Sequence, residues 1–179
     1  YSNLLESPGY LQAITGGKPD TSRLDWLAKT LASIAKAKQK KALVIAMHHP
    51  PYSQSGHAGS VEMNKSIDDA CTKAGVWPDL VLSAHAHNYQ RYTRRIAGKQ
   101  IVYIVVGTGG MPHQTVQTAT GQPADTSHQV TYDAAISTSG YLFVTVSAKQ
   151  LSVQFWQLGA EHDKPFDPLT INLLTHTVT

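Results

Sequence analysis

The sequence predicts an α/β fold on three observations. Helical patterns alternate with short apolar runs, these runs have lengths typical of buried strands, and two of them end directly in histidine. At 179 residues, with 41% hydrophobic and 15% charged residues, the chain has enough apolar material for one globular domain. The net charge of +3 is small and scattered, so it does not indicate a nucleic-acid partner.

Composition also excludes a membrane span and a thiolate metal site. The longest apolar runs, residues 42–47 and 101–106, are far shorter than the roughly 18 residues that a membrane-spanning helix needs. Cys71 is the only cysteine, which rules out an intrachain disulfide and a site of the zinc-finger kind. Imidazole and carboxylate groups remain as metal ligands.

The first half of the chain predicts two helices and three strands. Residues Ser22 to Asp25 have the form of a capping box, and apolar residues follow at helical spacing, which predicts a helix over 23–38. A second helical pattern covers 61–74, and Gly75 is well placed to end it. Strands are predicted at 42–47, 79–84 and 101–106. The first of these is a continuous apolar run, so we expect it to be buried on both faces.

The second half predicts a loop, a hairpin and a tail. Residues 111–139 are rich in Thr, Gln, Ser, Gly and Pro and are expected to form a long surface loop. Residues 141–147 and 151–158 alternate in polarity around a short turn, which predicts an antiparallel hairpin. Residues 159–179 are expected to be a tail.

Histidines follow two of the predicted strands. His48 and His49 come directly after the run at 42–47, and His85 and His87 follow the run at 79–84. Ligands bind beyond the carboxyl ends of strands in α/β sheets, so we expect both clusters to face one crevice if the strands are parallel neighbours. Residues two apart in an extended chain point the same way, with Cα atoms about 6.5 Å apart. His85 and His87 could therefore serve two adjacent ions.

A single histidine at a strand end is more often a hydrogen-bonded structural residue than a ligand, but three at two strand ends favour a metal site. Imidazole suits zinc, iron and related ions rather than magnesium or calcium. The predicted ligands are His48, His85 and His87, whereas His49 is expected to orient the turn.

Two sequence blocks resemble those of the calcineurin-like metallophosphoesterases, and of the purple acid phosphatases in particular. The first block, around His48, is Val-Ile-Ala-Met-His-His-Pro-Pro-Tyr-Ser, and the second, around His85, is Ala-His-Ala-His-Asn-Tyr-Gln-Arg. The segments Leu-Asp-Trp-Leu at 24–27, Gly-Thr-Gly-Gly at 107–110 and Gly-Tyr-Leu-Phe-Val at 140–144 extend the match over most of residues 22–158. Two departures are that Ala84 replaces the usual glycine and that residues 1–47 offer none of the family's earlier ligand blocks.

The resemblance implies a fold, an activity and roles for particular residues. The implied fold is a four-layer α/β/β/α sandwich, of which residues 1–179 would be the C-terminal portion. The implied activity is phosphate-ester hydrolysis at a binuclear centre of two divalent or trivalent ions of Fe, Zn or Mn. His48 and His85 would hold one ion and His87 the other. His57 matches the position of a substrate-binding histidine that binds a phosphate oxygen or protonates the leaving alkoxide.

The resemblance also implies a partner and a location. An N-terminal half of the same domain, supplied by a separate chain or a segment absent from this sequence, is expected to complete the centre around a phosphate-ester substrate. Secretion or a periplasmic location is expected from the likeness to secreted acid phosphatases. The alternative is a catalytically inactive metal-binding or partner-binding fragment, since half of the implied ligand set lies outside this sequence.

Overall fold

The computed structural model describes residues 13–15, 18–38, 41–159 and 164–179. Their elements in chain order are β1 (Ala13–Thr15), β2 (Lys18–Asp20), α1 (Ser22–Ala35), β3 (Val44–Ala46), α2 (Val61–Ala74), β4 (Leu80–Ser83), β5 (Tyr89–Ile96), β6 (Lys99–Val106), β7 (Gln122–Asp125), β8 (Val130–Ile136), β9 (Gly140–Val146), β10 (Gln150–Gln157) and β11 (Phe166–Asn172). The predicted α/β class is confirmed. No helix in this part of the chain is long and apolar enough to cross a membrane.

Two larger sheets and a helical layer build the fold, and β1 and β2 form a separate two-stranded sheet. A mixed sheet has the strand order β3-β4-β6-β5-β8-β7, with β3, β4 and β6 parallel to one another and the other three strands antiparallel to their neighbours. One face packs against α1 and α2, and the other packs against an antiparallel sheet of order β11-β10-β9. The described residues therefore form three layers, helices, sheet and sheet, of the four that the resemblance implies.

The helices agree with the sequence patterns except at the start of α1 and at its end, which lies at Ala35 and not at residue 38. The capping-box prediction is wrong, because Thr21 occupies the N-cap and its side chain does not cap the helix. The Ser22 backbone N–H instead donates to the Asp20 carboxylate at 3.0 Å. For α2, Ser60 is the N-cap and its hydroxyl accepts from the Met63 N–H at 3.1 Å. Gly75 ends α2 with a left-handed φ of 68°, as predicted.

The expectation that the first apolar run is buried on both faces is wrong. That run becomes β3, the edge strand of the mixed sheet, and its Val44 and Ala46 side chains are exposed. Val44 lies beside Leu80 of β4, whose side chain belongs to the apolar layer between the two sheets. The apolar composition of β3 therefore shows that its side chains continue the apolar layer between the two sheets, although β3 itself is not covered.

Two further predictions about the second half are corrected. The expected loop over 111–139 contains β7 and β8, and the expected tail over 159–179 contains β11, which pairs with β10. In β8, buried Val130 and Tyr132 alternate with more polar residues, so this half-covered strand lacks a continuous apolar run. The part of the tail at 160–163 lies outside the described residues. The hairpin prediction is confirmed by β9 and β10.

The sequence patterns did not predict β5, which pairs with β6 on one side and β8 on the other. Its sequence, Tyr-Gln-Arg-Tyr-Thr-Arg-Arg-Ile, looks too charged for a central strand. It is tolerated because distant carboxylates neutralise its arginines: Arg91 pairs with Asp133 and Asp167, and Arg94 pairs with Asp68.

Candidate metal centre

The carboxyl ends of β3 and β4 bring the two histidine segments together. These strands are parallel neighbours, as the sequence argument required. Beyond the strand ends, the Met47 N–H donates to the Leu82 carbonyl at 3.0 Å and the Ala84 N–H donates to the His48 carbonyl at 2.9 Å. These backbone bonds place the His48 Nε2 and His85 Nδ1 atoms 3.1 Å apart.

The chain around His85 is not extended, contrary to the sequence expectation. His85 has a φ of 61°, which is uncommon for a residue with a Cβ, and the Ala86 N–H donates to the Ala84 carbonyl at 2.7 Å. The Asn88 N–H donates to the Ala86 carbonyl at 2.9 Å in a second tight turn. His85 and His87 therefore do not project side by side from a straight segment, and their directions are set by consecutive turns.

Five imidazoles form what we call the histidine cluster: His48, His49, His57, His85 and His87. The His85 ring is central, with ring centroids 4.2 Å from His49, 4.2 Å from His57 and 5.0 Å from His48. His57 stacks on His85 with an interplanar angle of 29°, and its centroid lies 5.8 Å from that of His87. All four residues singled out from the sequence are thus in one cluster.

His49 is the cluster member that the sequence argument set aside. The residue is 1% exposed and its ring packs against those of His48 and His85, with centroid distances of 4.9 and 4.2 Å. One possible ligand atom from each of His48, His49 and His85 lies within 4.8 Å of the others. The sequence signal was available, since His49 is adjacent to His48, but the ligand position was assigned to His48 and His49 was expected to orient the turn.

The electrostatic environment of His85 favours a neutral ring. Burial, and then the neighbouring imidazoles of His49, His57, His48 and His87, lower the pKa of His85 to about 4. Its Nε2 atom is buried and has no hydrogen-bond partner among the described residues. A neutral imidazole is chemically suited to bind a metal cation.

Gln90 of β5 supports the loop that leads to His57. This amide is buried, and its Nε2 donates to Ser53 Oγ at 3.1 Å, to the Ser55 carbonyl at 3.0 Å and to Asn88 Oδ1 at 2.8 Å. Its Oε1 accepts from the Gln54 N–H at 3.0 Å and from the Tyr92 hydroxyl at 2.6 Å. One side chain therefore links the His57 loop to the segment that follows His87.

Gln114, which lies between β6 and β7, holds the backbone of His87. Its Oε1 accepts from the His87 N–H at 2.8 Å, and its own backbone N–H donates to the His87 carbonyl at 3.0 Å. Gly56 has a φ of 78°, and a Cβ added there would overlap Gln114 Oε1. The turn before His57 therefore requires glycine for both its conformation and its close approach to Gln114.

The tyrosine and arginine of the second sequence block connect the two sheets. The Tyr89 hydroxyl donates to Asp167 of β11 at 2.7 Å, and Arg91 makes two bonds to the same carboxylate at 2.6 and 2.9 Å. Arg91 also donates to Asp133 of β8 at 3.0 Å. These residues are structural, because they fasten β11 to the strand that starts beside the histidine cluster.

A mixed sheet, covered on one face by helices and on the other by a second sheet, with histidines beyond two parallel strands, is consistent with the C-terminal part of a metallophosphoesterase domain. No protein-family model matches the chain. The chain is 35% identical over 108 residues to the probable purple acid phosphatase 20 of Arabidopsis thaliana, which covers 56% of this chain and 25% of that protein. It is therefore related to the purple acid phosphatase-like metallophosphoesterases, and it spans about a quarter of that relative's length.

A solved structure shares the fold. The chain matches GAP50, the anchor in the inner membrane complex of Plasmodium, with a TM-score of 0.54 and 18% sequence identity. The match covers 80% of this chain and 42% of that one. At this identity the likeness concerns the fold alone, and it agrees with the predicted fold class. The resemblance stated from the two histidine blocks is confirmed.

Proposed function

We propose that this chain supplies the histidine side of a metal-dependent phosphate-ester hydrolase centre. The single observation that supports this most is the convergence of His48 and His85 at the ends of two parallel strands, with ring nitrogens 3.1 Å apart. The relationship to purple acid phosphatases supplies the reaction class.

The donor set fits a transition ion. Imidazole nitrogen suits zinc, iron and related ions, and the proposed ligand atoms are His48 Nε2 and His85 Nδ1, which face each other at 3.1 Å. In the proposed centre, His48 and His85 hold one ion of a pair and His87 holds the second. When bound, such ions would supply positive charge that polarises a phosphate ester and activates water for its hydrolysis.

His57 is proposed to contact the substrate. Its ring stacks on His85 at a centroid distance of 4.2 Å and approaches His87 at 5.8 Å, so it borders both proposed ion positions. A phosphate held there would lie beside the His57 ring, which can donate to a phosphate oxygen or give its proton to the leaving alkoxide. Gln90 and Gly56 hold the loop that carries this ring.

We also propose that an N-terminal half-domain covers the open side of the two sheets. On β3, Val44 is 39% exposed, and on β9, Val144 and Val146 are 37% and 59% exposed, although all three lie on the faces that form the apolar layer between the sheets. Edge strands with exposed apolar side chains are templates for pairing. A segment that extends both sheets would cover these residues and could supply the remaining ligands.

The proposal is tested by metal content and hydrolysis of p-nitrophenyl phosphate, measured on this chain alone and joined to an N-terminal half-domain from a purple acid phosphatase. His85→Ala is expected to lower both metal content and turnover, whereas His57→Ala is expected to lower turnover with metal content unchanged. His113→Ala is the control, because that exposed ring bonds Ser139 and lies outside the histidine cluster. Full turnover in His85→Ala would contradict the proposal.

A second candidate is a binding module without hydrolysis. It is favoured by the exposed apolar residues of β9, including Tyr141 and Phe143, and by the fold likeness to a protein described as an anchor. This candidate predicts that the joined, metal-loaded protein leaves p-nitrophenyl phosphate intact, while a partner protects β9 from amide exchange. Turnover that depends on His85 would exclude it.

A further inference from the structure

His49 is a buried polar side chain that packs against two other imidazoles. It is 1% exposed, its ring meets His85 at a centroid distance of 4.2 Å, and it meets His48 edge-on at 4.9 Å. One candidate ligand atom from each of these three histidines falls within 4.8 Å of the other two.

Local backbone geometry explains how adjacent residues can share one ligand. In a strand, His48 and His49 would project to opposite faces, but β3 ends at Ala46 and the chain bends at both histidines. The His48 carbonyl is bound by the Ala84 N–H, which fixes this bend against the end of β4. The two rings therefore lie on the same side as His85.

The distances suit one ion. Zinc–nitrogen bonds are about 2.0–2.1 Å, so two imidazole nitrogens on a tetrahedral zinc are about 3.3 Å apart. The His48 Nε2 to His85 Nδ1 distance of 3.1 Å is close to that value. His85 is also held in a left-handed conformation, with a φ of 61°, and such strain in a residue with a Cβ is characteristic of functional sites.

We propose that His49 completes, with His48 and His85, a three-imidazole site for one divalent transition ion of the zinc class. All three ligands would belong to this chain, and a tetrahedral ion would take its fourth ligand from water or from elsewhere. The inference rests on the proposed metal centre only for the pairing of His48 with His85. It differs in assigning the third ligand to His49, and it requires no hydrolysis.

The test is calorimetric titration of metal-free protein with Zn²⁺ and no substrate. His49→Gln is expected to lower the affinity for the first equivalent of Zn²⁺ at least about 100-fold. Even residues that only support a ligand change metal affinity by roughly 10–100-fold. His113→Gln is the matched control and should bind like the parent protein. Co²⁺ provides a second readout, because its visible absorption reports tetrahedral ligation that His49→Gln should abolish.

The outcomes separate this inference from the proposed hydrolase. An unchanged affinity for the first Zn²⁺ in His49→Gln would overturn the inference. It would also be overturned if His87→Gln, and not His49→Gln, lost this affinity, because His87 would then be the third ligand. If His49→Gln fails to fold by circular dichroism, His49→Asn, which keeps a shorter polar group, is titrated in its place. Tight Zn²⁺ binding that depends on His49, with no turnover in the joined protein, would refute the hydrolase and leave this site standing.

Discussion

Replacing Gln90 with methionine keeps the length of the side chain and removes all of the hydrogen bonds that this side chain makes. Some of its partners keep other bonds, since Ser53 Oγ still donates to the Ser55 carbonyl and the Gln54 N–H still donates to the Tyr92 hydroxyl oxygen. Two groups lose the partner described for them, Asn88 Oδ1 and the Tyr92 O–H proton. The variant therefore removes a small, defined set of the hydrogen bonds that hold the His57 loop.

The magnitude follows from these two groups. Each buried polar group left unpaired costs about 1–3 kcal/mol, and a buried methionine returns part of this through its apolar surface. We expect the free energy of unfolding to fall by about 2–4 kcal/mol. Thr131→Val is the control, because it removes a hydroxyl that bonds Asp133 and the Thr93 carbonyl far from the loop, and it should cost only about 1 kcal/mol.

The assay combines urea unfolding with amide hydrogen exchange. If Gln90 holds the loop, the Gln54 N–H should exchange at least about 30-fold faster in Gln90→Met, since each 1.36 kcal/mol corresponds to a factor of ten. Thr131→Val should leave that amide unchanged. A Gln54 exchange rate equal to the parent's, with the global loss present, would refute the claim that Gln90 acts on the loop.

A double-mutant cycle connects this support to His57. In the joined protein, Gln90→Met and His57→Ala should each lower kcat, and the double variant should be little worse than His57→Ala alone, because both changes remove the same ring from its place. Additive losses would mean that Gln90 has only a general structural role.

Three further predictions concern other parts of the structure. Gly56→Ala should lower stability by about 1–3 kcal/mol in urea unfolding, because its positive φ disfavours a Cβ and the new atom meets Gln114; an unchanged midpoint would contradict this. Asp68→Ala should lower the free energy of unfolding by about 3–5 kcal/mol, since it leaves the 2%-exposed Arg94 without its carboxylate partner. A loss near zero would show that water reaches the guanidinium. Burial raises the pKa of Asp125, but hydrogen bonds from a neighbouring serine and histidine outweigh it and lower this pKa to about 2. The ionised carboxylate therefore stabilises the folded state above about pH 4, and this stabilisation disappears as the pH falls towards 2. Asp125→Asn should flatten that part of the stability–pH curve.

Local patterns in the sequence were sufficient for much of the fold. The apolar spacing of α2, with Gly75 after it, encodes a helix through residues that are close together in the chain. The polarity of β9 and β10 similarly encodes a hairpin. These predictions succeeded because the energies that decide them come from residues close together in the sequence.

Other elements depended on contacts between distant residues. The strand β5 is buried only because Asp68, Asp133 and Asp167 reach its arginines from three other elements. The edge position of β3 depends on the order of strands in the sheet, which no local pattern specifies. Polar residues in β8 likewise concealed a strand that alternates between a buried and a partly covered face.

For the candidate site, the sequence by itself determined which histidines follow which strands, because a strand and the residue after it are neighbours in the chain. Only the tertiary structure decided how those rings meet. The bend after β3 turns His49 towards His85, the left-handed conformation of His85 separates it from a straight run with His87, and Gln90 and Gln114 hold the loop and turn beside them. These features arise from backbone turns and buried hydrogen bonds between segments far apart in the sequence, so residue type and spacing alone could not specify them.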